Sequence, residues 1–211
     1  EFQAMIAAGP PPVAPIVEAV TGHGRILLAA TVASIAYFVL FYVSTAFALG
    51  YATASMDMTR ETVLQMQLLA ILSLAAGIVV AGYVADRWGP LVAMMLGGVI
   101  GIPASLAFAG MFGSGDWSVM LAALAMLLFV MGLSYGTAGG WLPSLFPARV
   151  RYTGTSIAFN AAGVFGGAIA PYGAQWLTGQ GGLPWVGYYL AASCGLSLIA
   201  LLILPRTSVA D

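Results

Sequence analysis

The chain has 211 residues, of which 61% are hydrophobic and 6% charged, with a formal net charge of −1 and a mean hydropathy of +0.99. That is more apolar surface than a soluble domain of this size can bury, so the solvent for most of the chain is lipid. No lysine occurs and no basic patch can form, which excludes a nucleic-acid partner and a polybasic lipid-binding segment.

In chain order, the first segment is EFQAMIAAGPPPVAPIVEAVTGHG, residues 1–24. Its proline run cannot continue a helix, and it lacks the charged, apolar and cleavage regions of a signal peptide in their usual order. It reads as a linker from the inside of a longer chain, with a short surface helix around Pro15-Ile16-Val17-Glu18-Ala19-Val20. Six apolar runs follow near residues 26–52, 62–84, 91–112, 118–142, 155–177 and 185–204. Each is long enough to cross a hydrocarbon core about 30 Å thick. Lipid offers nothing to an unpaired amide, so such runs are helices unless they close a barrel. Barrel strands are about half as long and alternate polar with apolar residues, which LAILSLAAGIVVAGYV does not. The expected class is therefore an all-α integral membrane protein with six transmembrane helices over residues 25–205 and a short tail at 206–211.

The few charges orient these spans. Arg25, Arg87, Arg149, Arg151 and Arg206 fall on one side, whereas Arg60 falls on the other with Asp57, Glu61 and Asp116. This bias predicts that both termini are cytoplasmic, with a bacterial inner membrane as the setting. The six arginines, seven acids and His23 all lie in loops, tails or span ends, so the spans carry no obvious proton carrier. With one histidine, one cysteine, no P-loop and no His/Cys cluster, the pattern predicts neither an enzyme nor a metal or cofactor site. Cys194 reads as a small buried hydrophobe, and the ten methionines read as gap-fillers.

Between the second and third runs stands GYVADRWGP, residues 82–90. Gly82 permits close helix approach, Asp86 is placed to cap the third helix, and Gly89-Pro90 suits a tight turn into a new helix. A longer stretch, LFPARVRYTGTSIAFNAAGVFGGAIAP, spans residues 145–171. The spacing of Gly82, Asp86, Arg87 and Gly89 resembles the loop signature of the major facilitator superfamily. The second stretch resembles its metabolite:H+ symporter branch, in Phe146, Pro147, Arg149, Arg151, Tyr152, Thr153 and Gly154, then Asn160, Gly166, Gly167 and Pro171. The resemblance runs from about residue 13 onward and implies helices seven to twelve of a twelve-helix carrier.

That resemblance implies alternating access with another six-helix half, either a companion or a second copy, and a small carboxylate or zwitterion as substrate. It implies that Asp86, Arg87, Arg149 and Arg151 form this half's gate network, with Gly82, Gly89 and Gly154 as the loop glycines. It also implies that the first, second, fourth and fifth helices line the cavity, making Tyr37, Tyr42, Gln65, Gln67, Tyr135, Asn160 and Gln175 the candidate lining. Trp141 and Tyr51, near span ends, read instead as interfacial anchors. The chain departs from the family pattern at Pro90-Leu91, where basic residues are usual, and at Ser144, where an acid is usual. Those departures keep a second expectation open, a transporter-derived structural or assembly subunit among other membrane subunits.

Overall fold

The computed structural model describes residues 14–204. Among these residues six helices are long and apolar enough to cross a membrane: α1 (Pro15–Ser55), α2 (Arg60–Trp88), α3 (Pro90–Phe112), α4 (Trp117–Ser144), α5 (Arg151–Gly181) and α6 (Leu183–Ile203). No strand occurs among the described residues, and the all-α membrane class is the one observed. Most of the proline run, the tail at 206–211 and Arg206 lie outside the described residues.

Two of the helices start from polar side-chain caps just outside the apolar runs, which hydropathy does not register. The Thr59 hydroxyl accepts the Thr62 N–H at 3.3 Å to start α2, and the Asp116 carboxylate accepts the N–H groups of Ser118 and Val119 at 2.9 and 3.0 Å to start α4. The short surface helix expected around Pro15 is continuous with the first span. The two form one helix bent at His23, whose φ of −127° and ψ of 20° leave the helical region.

Helix α4 packs against α2, α3 and α1, while α6 packs against α3 and α1, and α5 against α1. The α2–α4 seam is closed by two facing glycines. A methyl group on Gly132 would collide with the Leu74 carbonyl and lie 3.0 Å from the Gly77 Cα. Such approach lets dispersion replace the hydrophobic drive that lipid does not supply. One apolar cluster joins Leu40, Val43, Phe108, Phe112, Leu124 and Leu128 at mid-bundle, and a second gathers Met94, Trp141, Leu142, Phe146 and Leu201 toward the arginine-rich end. Trp141, at 3% exposure, is thus a core residue rather than the interfacial anchor expected, because the end of α4 turns inward onto α3 and α5. Cys194 is buried, as its apolar run implies, against Gly101.

Two helices are irregular in mid-span. In α1 the Ala36 N–H donates to the Ser197 hydroxyl at 3.1 Å, and that hydroxyl donates to the Val32 carbonyl at 2.8 Å. A side chain of α6 therefore stands inside the backbone ladder of α1, a recognised cause of bending. Further along, residues Val43–Phe47 form a π-turn, and α5 carries a second at Val164–Ala168.

Replacing Gly132 with Val forces α2 and α4 apart. We expect an unfolding midpoint in detergent lower by at least about 2 °C, from ~1–3 kcal/mol of overpacking. Gly82→Ala, whose added methyl meets nothing within 4 Å, should leave the midpoint unchanged or raise it. Equal midpoints for wild type and Gly132→Val would show that the seam is not a tight contact.

Candidate functional site

The signature loops meet at one end of the bundle. Helix α2 stops where Gly89 turns to φ +90°, with its N–H still bonded to the Ala85 carbonyl at 2.9 Å, and Pro90 opens α3. Only glycine adopts that backbone without strain, so Gly89 is a turn residue. Gly82 is different. A methyl there would meet open space, so within this six-helix unit it mediates no close approach, contrary to expectation. Asp86 is exposed in the last turn of α2, and no side chain caps α3, so the expected capping role is not what the structure shows. The reason is geometric: Gly89 occupies the N-cap position.

Arg87 leaves its carboxylate neighbour in sequence and lies over the Tyr83 ring, 5.0 Å from its centroid. Arg149 pairs with Glu18, Nε to Oε2 at 3.1 Å, with both side chains partly exposed. Arg151 donates from Nε to the Phe146 carbonyl at 3.2 Å, and Gly154 lies against the Phe146 ring, where any side chain would collide. The Phe-Pro-x-Arg-x-Arg-Tyr-Thr-Gly run is therefore a compact corner whose Phe146 is buried and whose arginines are displayed. Pro143, Ala148, Arg151, Tyr152, Thr155 and Ser156 line a cleft of about 420 Å3 there. Glu18 was not among the expected site residues. Its signal in the sequence was that it is the acid nearest the first span on the arginine-rich side, but the bend at His23 that swings it toward Arg149 is not legible from composition.

The expected cavity residues separate into three environments. Gln67 faces inward from α2, and its amide donates to the carbonyls of Ser44 and Thr45 at 3.1 and 2.8 Å, inside the α1 π-turn. Gln65, two residues earlier and so on another face, is exposed. Tyr37 is buried at 1% exposure, and its ring meets that of Tyr135 edge-on with centroids 5.5 Å apart. Tyr135 itself is 38% exposed at the last full turn before α4 breaks and resumes at Ala138.

The third environment lies between α1 and α5. Phe38, Tyr42, Phe159, Asn160, Gly163 and Val164 line a groove of about 320 Å3. Gly166 and Gly167 bring the helices together, since methyl groups there would stand 2.7 Å from the Phe38 Cβ and the Tyr42 ring. Asn160 is exposed, and its amide nitrogen donates to the Ser156 carbonyl at 2.8 Å. Helix α5 is the least apolar of the six spans, and Tyr152, Asn160, Tyr172 and Gln175 are all exposed along it. Among the described residues no group of three or more His, Cys, Asp or Glu side chains comes together as metal ligands would.

Comparison with known proteins shows that the chain is similar to transporters. It is 38% identical over 198 residues to the inner membrane metabolite transport protein YhjE of Escherichia coli, a match covering 92% of this chain and 45% of that protein. It is 28% identical over 198 residues to the Escherichia coli shikimate transporter, covering 90% of this chain and 44% of the relative. It is 25% identical over 200 residues to the proline/betaine transporter of Salmonella typhimurium, covering 90% and 38%. The chain thus spans about half the length, or less, of the curated relatives it matches. No family model and no solved structure matches it. The named relatives are transporters, not enzymes. Together with six membrane-length apolar helices, they identify an integral inner-membrane protein.

Gln67 is the expected lining residue with a measurable structural duty. Gln67→Leu leaves two π-turn carbonyls without their donor, a loss of ~1–3 kcal/mol that should lower the unfolding midpoint by about 2 °C or more. The exposed Gln65→Leu should change it by less than about 1 °C. Thermal unfolding in detergent reads both, and equal shifts would remove the structural role of the Gln67 amide.

Proposed function

Starting from a chain that belongs with the metabolite transporters of the major facilitator superfamily and spans half of one, we propose that it is the C-terminal half of a secondary transporter. It works by alternating access with a second six-helix half, moving small metabolites of the carboxylate or zwitterion class, with proton symport as the coupling. Both termini face the cytoplasm, so the arginine-rich end is the cytoplasmic gate. Transport rather than catalysis is the activity.

The observation that carries this reading is the exposed, polar and aromatic flank of α1 and α5. A span that displays Asn160 and Gln175 is costly against lipid and is accommodated against water or a partner. The flank therefore faces the cavity and the other half. The gate has a physical basis in the displayed arginines beside an open cleft at the α4–α5 corner. Asp86 is exposed on the same end and is available to a cation of the opposite half. The pair of Arg149 with Glu18 anchors the N-terminal turn to the gate corner. No charge stands at depth among the described spans, so the proton-carrying groups belong to the second half.

Two measurements test the reading. With cysteines placed at Ser144 on the arginine-rich end and at Gly179 on the opposite end, Asp86→Asn should change the ratio of their labelling rates by up to about fivefold, the equivalent of one exposed ion pair of ~1 kcal/mol. An unchanged ratio would remove Asp86 from the gate. Asn160→Ala should weaken substrate affinity about tenfold with normal yield of folded protein. Equal loss of yield and uptake would make Asn160 a packing residue.

A further inference from the structure

Resting on the carrier reading above, we propose that the α1–α5 groove is a substrate subsite for the positively charged nitrogen of a zwitterion, an ammonium or alkylammonium group, with the carboxylate met by the other half. Three independent features point to it. The first is backbone geometry. The π-turn of α1 begins directly after Tyr42, and the π-turn of α5 begins at Val164, so both irregular segments flank the same groove. Single π-turns inside α-helices concentrate at functional sites.

The second is the asymmetry of the two turns. A π-turn displaces carbonyls from the regular ladder, and in α1 the Gln67 amide takes two of them. Among the described residues no side chain donates to the carbonyls of the Val164–Ala168 turn. The Val164 carbonyl takes the Ile169 N–H at 3.2 Å, so this wall is mended by backbone donors alone and its carbonyls keep their second lone pairs.

The third is side-chain chemistry. Phe38 and Phe159 meet edge to face with centroids 5.0 Å apart, and Tyr42 adds a third ring. Aromatic faces attract cations. One N–H of the Asn160 amide donates to the Ser156 carbonyl, and the amide oxygen remains as an acceptor beside the second N–H. The groove is lined by no arginine, histidine or other cation, and its backbone N–H groups belong to helices. Three aromatic rings and an amide oxygen line a groove with no cation, so an ammonium finds attraction there and a carboxylate finds no opposite charge.

The test compares two molecules of the same shape. Glycine betaine and 3,3-dimethylbutanoate share a carboxylate and three methyl groups, and differ in having N+ or carbon between them. A cysteine at Ala168, on the groove wall, is labelled by a maleimide in native membranes, where the chain keeps whatever it assembles with; Cys194 is buried. Glycine betaine should slow labelling at a concentration at least about tenfold lower than its carbon isostere. Phe38→Leu or Phe159→Leu should reduce that preference about three- to tenfold. Since Phe38 also packs against Gly166, a surface variant supplies the second arm. Asn160→Asp, exposed and acceptor-only, should strengthen protection by glycine betaine.

Equal protection by the two molecules, preference for the isostere, or weaker betaine protection in Asn160→Asp overturns the proposal. Protection by neither, while the labelling ratio at Ser144→Cys and Gly179→Cys still shifts with Asp86→Asn, overturns the subsite and leaves the carrier reading standing. Loss of both responses overturns the two together.

Discussion

Hydrocarbon has no donor for an unpaired carbonyl and no acceptor for an unpaired amide, and the design of this bundle follows from how each break in a helical ladder is repaired. The repairs come from neighbouring helices. Ser197 of α6 completes the ladder of α1 at Val32 and Ala36, and Gln67 of α2 completes it at Ser44 and Thr45. The irregular α1 is therefore bound by hydrogen bonds to two different neighbours. A straight apolar helix would need neither, and would be free to slide or rotate against them.

Around this frame the packing relies on absence of side chain rather than on bulk. Gly77 and Gly132 close the α2–α4 seam, Gly166 and Gly167 let Phe38 and Tyr42 lie down on α5, and Gly154 makes room for the Phe146 ring at the arginine-rich corner. In water the same residues would contribute little, because burial of large side chains drives association there. In lipid, close contact is the available source of attraction, and a methyl group at any of these seams removes it.

Charge and polarity are then distributed by depth. The arginines stand at one end on a corner made rigid by Phe146 and by the hydrogen bond from Arg151, while the mid-depth flank of α1 and α5 carries aromatic rings and amides without charge. On the carrier reading proposed above, a half of this kind offers a gate that attracts acids and a groove that attracts cations. The complementary charges belong on whatever stands opposite.

Much of this was readable in the residues. The six spans, the single-sided arginines, the turn at Gly89-Pro90 and the resemblance carried by Phe146 to Gly154 all follow from local chemistry, since hydropathy, charge and a positive-φ glycine act where they stand. The transporter relatives agree with that reading over half their length. What eluded it depends on partners distant in the chain. Gln65 and Gln67 are equally polar, yet one is exposed and the other repairs α1, because two residues on a helix point about 200° apart and the bundle decides which is inside. Trp141 is buried because α4 breaks and turns, Asp86 caps nothing because Gly89 takes the N-cap position, and Glu18 reaches Arg149 only because α1 bends at His23. The sequence by itself determined that this is a six-helix membrane protein with one arginine-rich face, because transfer free energy and charge placement are properties of each segment alone. Only the tertiary structure decided which polar groups mend the helices and which remain on the flank, because a hydrogen bond across helices exists only once the helices have met.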